Sequence, residues 1–82
     1  SGNSEIAAAW YEQSIKAGYK TVYPELEAFL VRVGRRKFLT PLYRALLKAG
    51  DKATALSIYS KARSNYHFVS TNTMDKLLEF NN

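Results

Sequence analysis

The sequence has no cysteine, which excludes disulfides, thiolate nucleophiles and cysteine-based zinc sites and leaves the redox compartment open. Histidine is nearly as scarce. His67 stands alone, so the chain can assemble neither a multi-histidine metal site nor a histidine pair. Long apolar runs are missing too: no stretch approaches the roughly 18 consecutive apolar residues that span a bilayer. No basic stretch with an apolar core behind it opens the chain as a secretory signal would. Ser1 in place of methionine points to a processed or truncated product.

Acidic residues are rare where basic ones are dense. Between Ala28 and Tyr66 there are nine basic residues and one acidic residue, Asp51; the flanks hold three basic and six acidic ones. The net charge of +5 is therefore concentrated in the middle of the chain and suggests an anionic partner. A 46% hydrophobic content with 23% charged residues is that of a globular chain. Its 82 residues make one domain or a piece of one.

The apolar residues recur at helical spacing and no strand-type alternation competes, so the pattern predicts an all-α fold of about five helices. The first follows Asn3-Ser4, with Ser4 as N-cap, runs through Ile6 and a core Trp10 to Ala17, and stops at Gly18. The second begins near Thr21 with Pro24 in its first turn, turns Val22, Leu26, Phe29 and Val33 inward, and ends at Gly34. The third starts around Lys37 with Pro41 in or near its first turn. Phe38, Leu42, Ala45, Leu46 and Ala49 face inward, and Gly50 closes it. Asp51 caps a fourth helix striped by Ala55, Leu56, Tyr59 and Ala62. A fifth starts near Ser70, after His67 at its entrance, and uses Met74, Leu77 and Leu78; Asn81-Asn82 reads as a frayed end. Connections of a few residues fold such helices into antiparallel hairpins, stacked as a short α-solenoid of the armadillo or HEAT kind. Most of the tyrosines sit on or beside the apolar stripes, as packing residues with a polar tip.

Gly34-Arg35-Arg36-Lys37 is the constellation with chemistry in it. Three cations crowd a turn just before a helix N-terminus, where partial positive charge makes them mildly unfavourable. An anion there would reverse the argument, because free backbone N–H groups, the helix dipole and the side chains would converge on it. Arg35 and Lys37 are one residue apart and can point to one side while Arg36 points away; a planar fork beside a point charge suits a carboxylate or a phosphate. On the residues alone, the bland alternative is favoured: Arg32 and Arg35 complement the C-terminal dipole of the second helix and the rest is solvated surface. Lys37, Arg44 and Lys48 share a helix face that reads as an ordinary polar side.

Asn3-Ser4-Glu5-Ile6, then Trp10, then Gly34-Arg35-Arg36-Lys37-Phe38, then Pro41-Leu42-Tyr43 and His67 together resemble a known domain. It is the C-terminal helical domain of the leukotriene A4 hydrolase and aminopeptidase B branch of M1 zinc metallopeptidases. The resemblance implies that residues 1–82 are one helical domain, the latter part of a larger right-handed superhelix packed on a catalytic domain of the same polypeptide. It further implies that Arg35 and Lys37 bind the C-terminal carboxylate of a peptide substrate, with Arg36 as a possible accessory. With that implication the balance at this turn moves from solvated surface to anion site. The family's H-E-x-x-H zinc motif is absent. The parent would thus carry zinc elsewhere, and this part holds no metal ligand, no catalytic residue and no activity of its own. Where the family can have proline after the histidine, this chain has Phe68. The reading expects a cytoplasmic protein that engages neither nucleic acid nor membrane. The rival is a stand-alone basic α-solenoid that binds an acidic protein or RNA.

Overall fold

In the computed structural model, which describes residues 2–81, the chain winds into five α-helices and two 3-10 turns, with no strand among the described residues. Helix α1 spans Gly2–Lys16, α2 Tyr23–Arg32, α3 Arg36–Lys48, α4 Lys52–Ala62 and α5 Phe68–Leu78. The 3-10 turns lie at Lys20–Val22 and Arg63–Asn65. The all-α prediction holds.

Alternate helices stack on one another. In one layer α3 packs against both α1 and α5; in the other α2 lies on α4, and α3 meets α4 across the interface. Overall extents of 30 × 30 × 17 Å describe a slab two helices thick, as axes 8–10 Å apart require. Leu26, Leu30, Leu39, Leu42, Tyr43, Leu46, Ile58, Tyr59, Met74 and Leu78 are buried along the seam.

The same layering is written into the helix ends. Helices α1 and α3 close with paired bonds, Tyr19 N–H to Ser14 O with Gly18 N–H to Ile15 O, and Asp51 N–H to Leu46 O with Gly50 N–H to Leu47 O. Each places a glycine in left-handed backbone, Gly18 at φ 76° and Gly50 at φ 82°. Helix α5 ends alike, with Glu79 at φ 53° in the glycine's place. The helices of the other layer end differently, so the repeating unit is a helix pair whose similarity lies in backbone geometry rather than in residue identity.

Several expectations need correction. Ser4 is not an N-cap, because α1 already begins at Gly2. Trp10 is 53% exposed and lies edge-on to Tyr19. The inward face of α1 is Ala7, Tyr11, Ser14 and Ile15, which has the same helical period as Ile6 and Trp10 but a different phase. Pro41 lies inside α3 rather than near its first turn. Ala49 is an exposed C-cap. Asp51 occupies the N-cap position of α4, yet its carboxylate accepts from Tyr23 Oη at 2.5 Å and Lys20 Nζ at 3.3 Å instead of capping. Helix α5 starts at Phe68, two residues before Ser70, and there His67 Nδ1 caps it by accepting from Val69 N–H at 3.1 Å. Asn81 lies beyond the last helix, and Asn82 lies outside the described residues.

Candidate functional site

Gly34 sits between two residues in extended backbone, Val33 (φ −101°, ψ 114°) and Arg35 (φ −75°, ψ 124°), which end α2 and precede α3. Its own φ is not positive, so Gly34 is a link between helices rather than a left-handed stop. The turn is braced from beneath by the segment after α4. Tyr66 Oη donates to Leu30 O at 2.6 Å, Asn65 Nδ2 to Val31 O at 3.3 Å, and Ser70 Oγ to Gly34 O at 3.3 Å. Because the Tyr66 proton goes to Leu30, the Tyr43 hydroxyl 3.0 Å away donates to Tyr66 Oη. Burial pushes the Tyr66 phenol up to about 12 and raises that of Tyr43 as well. Both therefore stay neutral hydrogen-bonding groups, and the turn stands on a fixed, buried base.

What this base presents is positive. Helix α3 has neither a side-chain cap at Arg35 nor an acidic residue in its first turn. Its first intrahelical donors are Phe38 and Leu39, both bonded to Arg35 O, so the N–H groups of Arg36 and Lys37 have no partner within the helix. The Arg35 guanidinium and the Lys37 ammonium both approach the Phe38 ring, at 6.0 and 5.1 Å from its centroid. Arg36 turns the other way, and its Nη1 donates to Thr73 Oγ1 on α5 at 3.2 Å. Lys37 also donates to Glu5 Oε2 at 2.8 Å, a pair with both side chains about half exposed. That hydrogen bond, then the Lys37 charge, and less strongly the charge of Arg35, hold the Glu5 carboxyl below its usual range. Among the described residues Arg35 has no hydrogen-bonded or ionic partner.

Two hollows flank Lys37. One, of about 310 Å³, lies between α1 and α3 over Ala8, Ala9 and Pro41, with Glu5 and Glu12 on its rim. The other, of about 690 Å³, opens between the turn and α5 and is lined by the three cations with Thr40, Ser70 and Thr73. The chemistry available is anion capture at a helix N-terminus by cations of fixed backbone position. Arg44 and Lys48 are exposed further along α3. Among the described residues no group of three or more His, Cys, Asp or Glu side chains could hold a metal ion. Among the described residues no helix is long and apolar enough to cross a membrane. Sequence reasoning missed Glu5, Ser70, Thr73 and Tyr66 as parts of this site. Glu5 lies in one of the sequence islands that carried the resemblance, whereas the hydroxyl residues of α5 gave no signal.

The family model described as "Leukotriene A4 hydrolase, C-terminal" matches residues 1–78. The chain belongs to that family. Relatives carry an aminopeptidase name. "Leucine aminopeptidase 2" of Ajellomyces capsulatus is 37% identical over 76 residues, which is 93% of this chain and 12% of the relative. The proteins of the same name from Yarrowia lipolytica (37% over 79 residues, 96% of this chain and 12% of the relative) and Vanderwaltozyma polyspora (40% over 67 residues, 82% and 10%) are similar. The chain thus spans only 12% of the length of the first two relatives. No solved structure matches significantly. Membership in the leukotriene A4 hydrolase C-terminal family agrees with the helical layers, and Arg35 and Lys37 lie within the matched residues.

Proposed function

We propose that this chain is the latter part of the C-terminal helical domain of a zinc-dependent M1 aminopeptidase. It packs on the catalytic domain of the same polypeptide, and Arg35 and Lys37 anchor the C-terminal carboxylate of the peptide substrate. The observation that carries the reading is Arg35 itself: a guanidinium over the Phe38 ring with no hydrogen-bonded or ionic partner among the described residues, beside Lys37, at an uncapped helix N-terminus. The aminopeptidase name of the relatives supports the activity of the parent. Exposed Ile6, Trp10 and Tyr19, on and just beyond α1, support a larger helical domain, since a neighbouring element would cover them. An ion-pair clamp of this kind fixes one end of a short peptide so that its other end lies at the reacting centre, which raises effective concentration and sets a length preference. Zinc does not fit the residues here: the described residues offer no ligand cluster, and the Nδ1 of the lone His67 is committed to capping α5. Zinc would be held by another domain. The expected outcome for the isolated chain is no stoichiometric zinc in elemental analysis and no release of an aminoacyl chromophore; either one found would overturn this part of the reading.

The test is Arg35→Ala in the full-length parent. In the parent, where a catalytic domain packed over the turn would exclude water from the clamp, truncating one partner of the ion pair lowers kcat/KM by about thirtyfold or more, with zinc content and fold intact. A substrate amidated at its C-terminus has no carboxylate to anchor, so wild type and variant cleave it at similar, low rates. Equal slowing on free-acid and amidated peptides would make Arg35 a structural residue and end the clamp reading.

A further inference from the structure

The three cations of the turn differ in what already neutralises them. Lys37 is matched by the Glu5 carboxylate at 2.8 Å. Arg36 reaches only a neutral hydroxyl, Thr73 Oγ1, and Arg35 reaches no hydrogen-bonding group among the described residues. Among the described residues no carboxylate meets either of these adjacent guanidinium charges, and they diverge: Arg35 leans over the Phe38 ring while Arg36 crosses to α5. Between them opens the hollow of about 690 Å³, whose wall adds the hydroxyl-bearing residues Thr40, Ser70 and Thr73. A single carboxylate can be gripped from one side by Arg35 and Lys37 and leaves Arg36 unanswered. A ligand with two anionic groups a few bonds apart answers both arginines. Thr73 is suited to hold Arg36 in place, because its hydroxyl accepts from the guanidinium and donates to Val69 O at 3.2 Å.

We propose that Arg36, steadied by Thr73, forms a second anion subsite beside Arg35, so that the site prefers peptides ending in an acidic residue. The terminal carboxylate would sit at Arg35 and Lys37, the side-chain carboxylate at Arg36. This rests on the carboxylate-anchoring reading above and adds a substrate class to it. Arg36 is exposed, so its contribution is that of a solvent-screened ion pair, about two- to fivefold in affinity.

The experiment titrates the 82-residue chain, followed by amide NMR at fixed ionic strength, with N-acetylglutamate and with N-acetylglutamine. The two ligands have nearly the same size and differ by one carboxylate. Wild type binds the glutamate derivative about two- to fivefold more tightly, with shifts at Thr73 and Ser70 that the glutamine derivative does not produce. Arg36→Gln abolishes the preference and lowers the affinity for N-acetylglutamine no more than Lys48→Gln does. Lys48→Gln removes the same charge from the far end of α3 and leaves the preference intact, which separates a subsite from general attraction to a cationic chain. Equal affinity for the two ligands in wild type, or a preference that survives Arg36→Gln or falls equally with Lys48→Gln, overturns the proposal. In that event, binding of N-acetylglutamine that is lost in Arg35→Gln leaves the anchoring reading standing. If neither ligand perturbs the turn, both readings fail.

Discussion

Among the described residues, Lys37 is the turn cation whose charge a carboxylate already meets, and this sets its rank beside Arg35. Glu5 reaches it from α1, and with both side chains about half exposed the pair is weak enough to be displaced by another anion. An incoming anion therefore competes with Glu5 at Lys37 but meets no rival at Arg35. Lys37→Ala accordingly weakens anion binding less than Arg35→Ala does. Glu5→Gln has the opposite sign: it frees Lys37 and removes a negative charge from the rim, so affinity for N-acetylglutamine rises about two- to fivefold in the same NMR titration. Unchanged affinity in Glu5→Gln would show that Lys37 takes no part in holding the anion.

Two glycines that look alike in the sequence do different work in the helix ends. Gly50 lies at φ 82° with nothing near the position of a Cβ, so Gly50→Ala meets backbone strain alone. It destabilises the chain by about 1–2 kcal/mol, the usual difference for an L-residue in left-handed backbone, which thermal unfolding followed by circular dichroism measures. Gly34 lies outside that region, and an added Cβ would rest 3.8 Å from Tyr66 Cδ1, an ordinary contact. Gly34→Ala is tolerated, and loss of unfolded-state freedom stabilises it by as much as about 0.4–1 kcal/mol. A large loss of stability in Gly34→Ala would mean that the turn needs backbone freedom it does not display here. Helix number, the stops at Gly18 and Gly50 and the cationic turn were legible because each rests on local chemistry. The phase of α1 was not: Ile6 and Trp10 compete with Ala7, Tyr11 and Ile15 at one period, and only tertiary packing selects between them. Asp51 misled for a similar reason, since its local capping role lost to Tyr23 and Lys20, about thirty residues away in the chain. The site itself was legible as far as Arg35, Arg36 and Lys37. Its brace and its far wall come from residues 65–73, whose approach to the turn no local pattern encodes.

Across the whole molecule, the ends of the stack are tied down by carboxylates held in the charged form. Glu5 joins α1 to Lys37 of α3, Asp51 joins Tyr23 and Lys20, and Glu79 joins Lys52 of α4. Asp75 of α5 receives two parallel bonds from Arg63, at 2.9 and 2.7 Å, and a third from Tyr59 Oη. Each of these carboxyls is held below its ordinary value, and in each the largest cause is a side-chain hydrogen bond: from Lys37, Tyr23, Lys52 and Arg63 respectively. A carboxyl depressed in the folded state takes up protons more readily once unfolded. The stability it contributes is therefore fully present above the unfolded pKa, near 4, and is lost as pH falls through the lower folded value. The melting temperature should be nearly flat between pH 7 and about 5 and fall steeply below about 4. Protonation of the carboxylates also leaves the basic middle of the chain to repel itself. The four do not count equally. Glu5 and Glu79 are well exposed, and their single-bonded pairs are screened, so 0.5 M salt should blunt their share. Asp51 is the more enclosed, at 14% against 28% for Asp75, but Asp75 is gripped by a two-pronged guanidinium and should dominate. Asp75→Asn then lowers the melting temperature at pH 7 and flattens its decline in acid, whereas Glu79→Gln changes both far less. A wild-type melting temperature that stays level down to pH 3, or an acid decline as steep in Asp75→Asn as in wild type, would show that these ties do not hold the stack together.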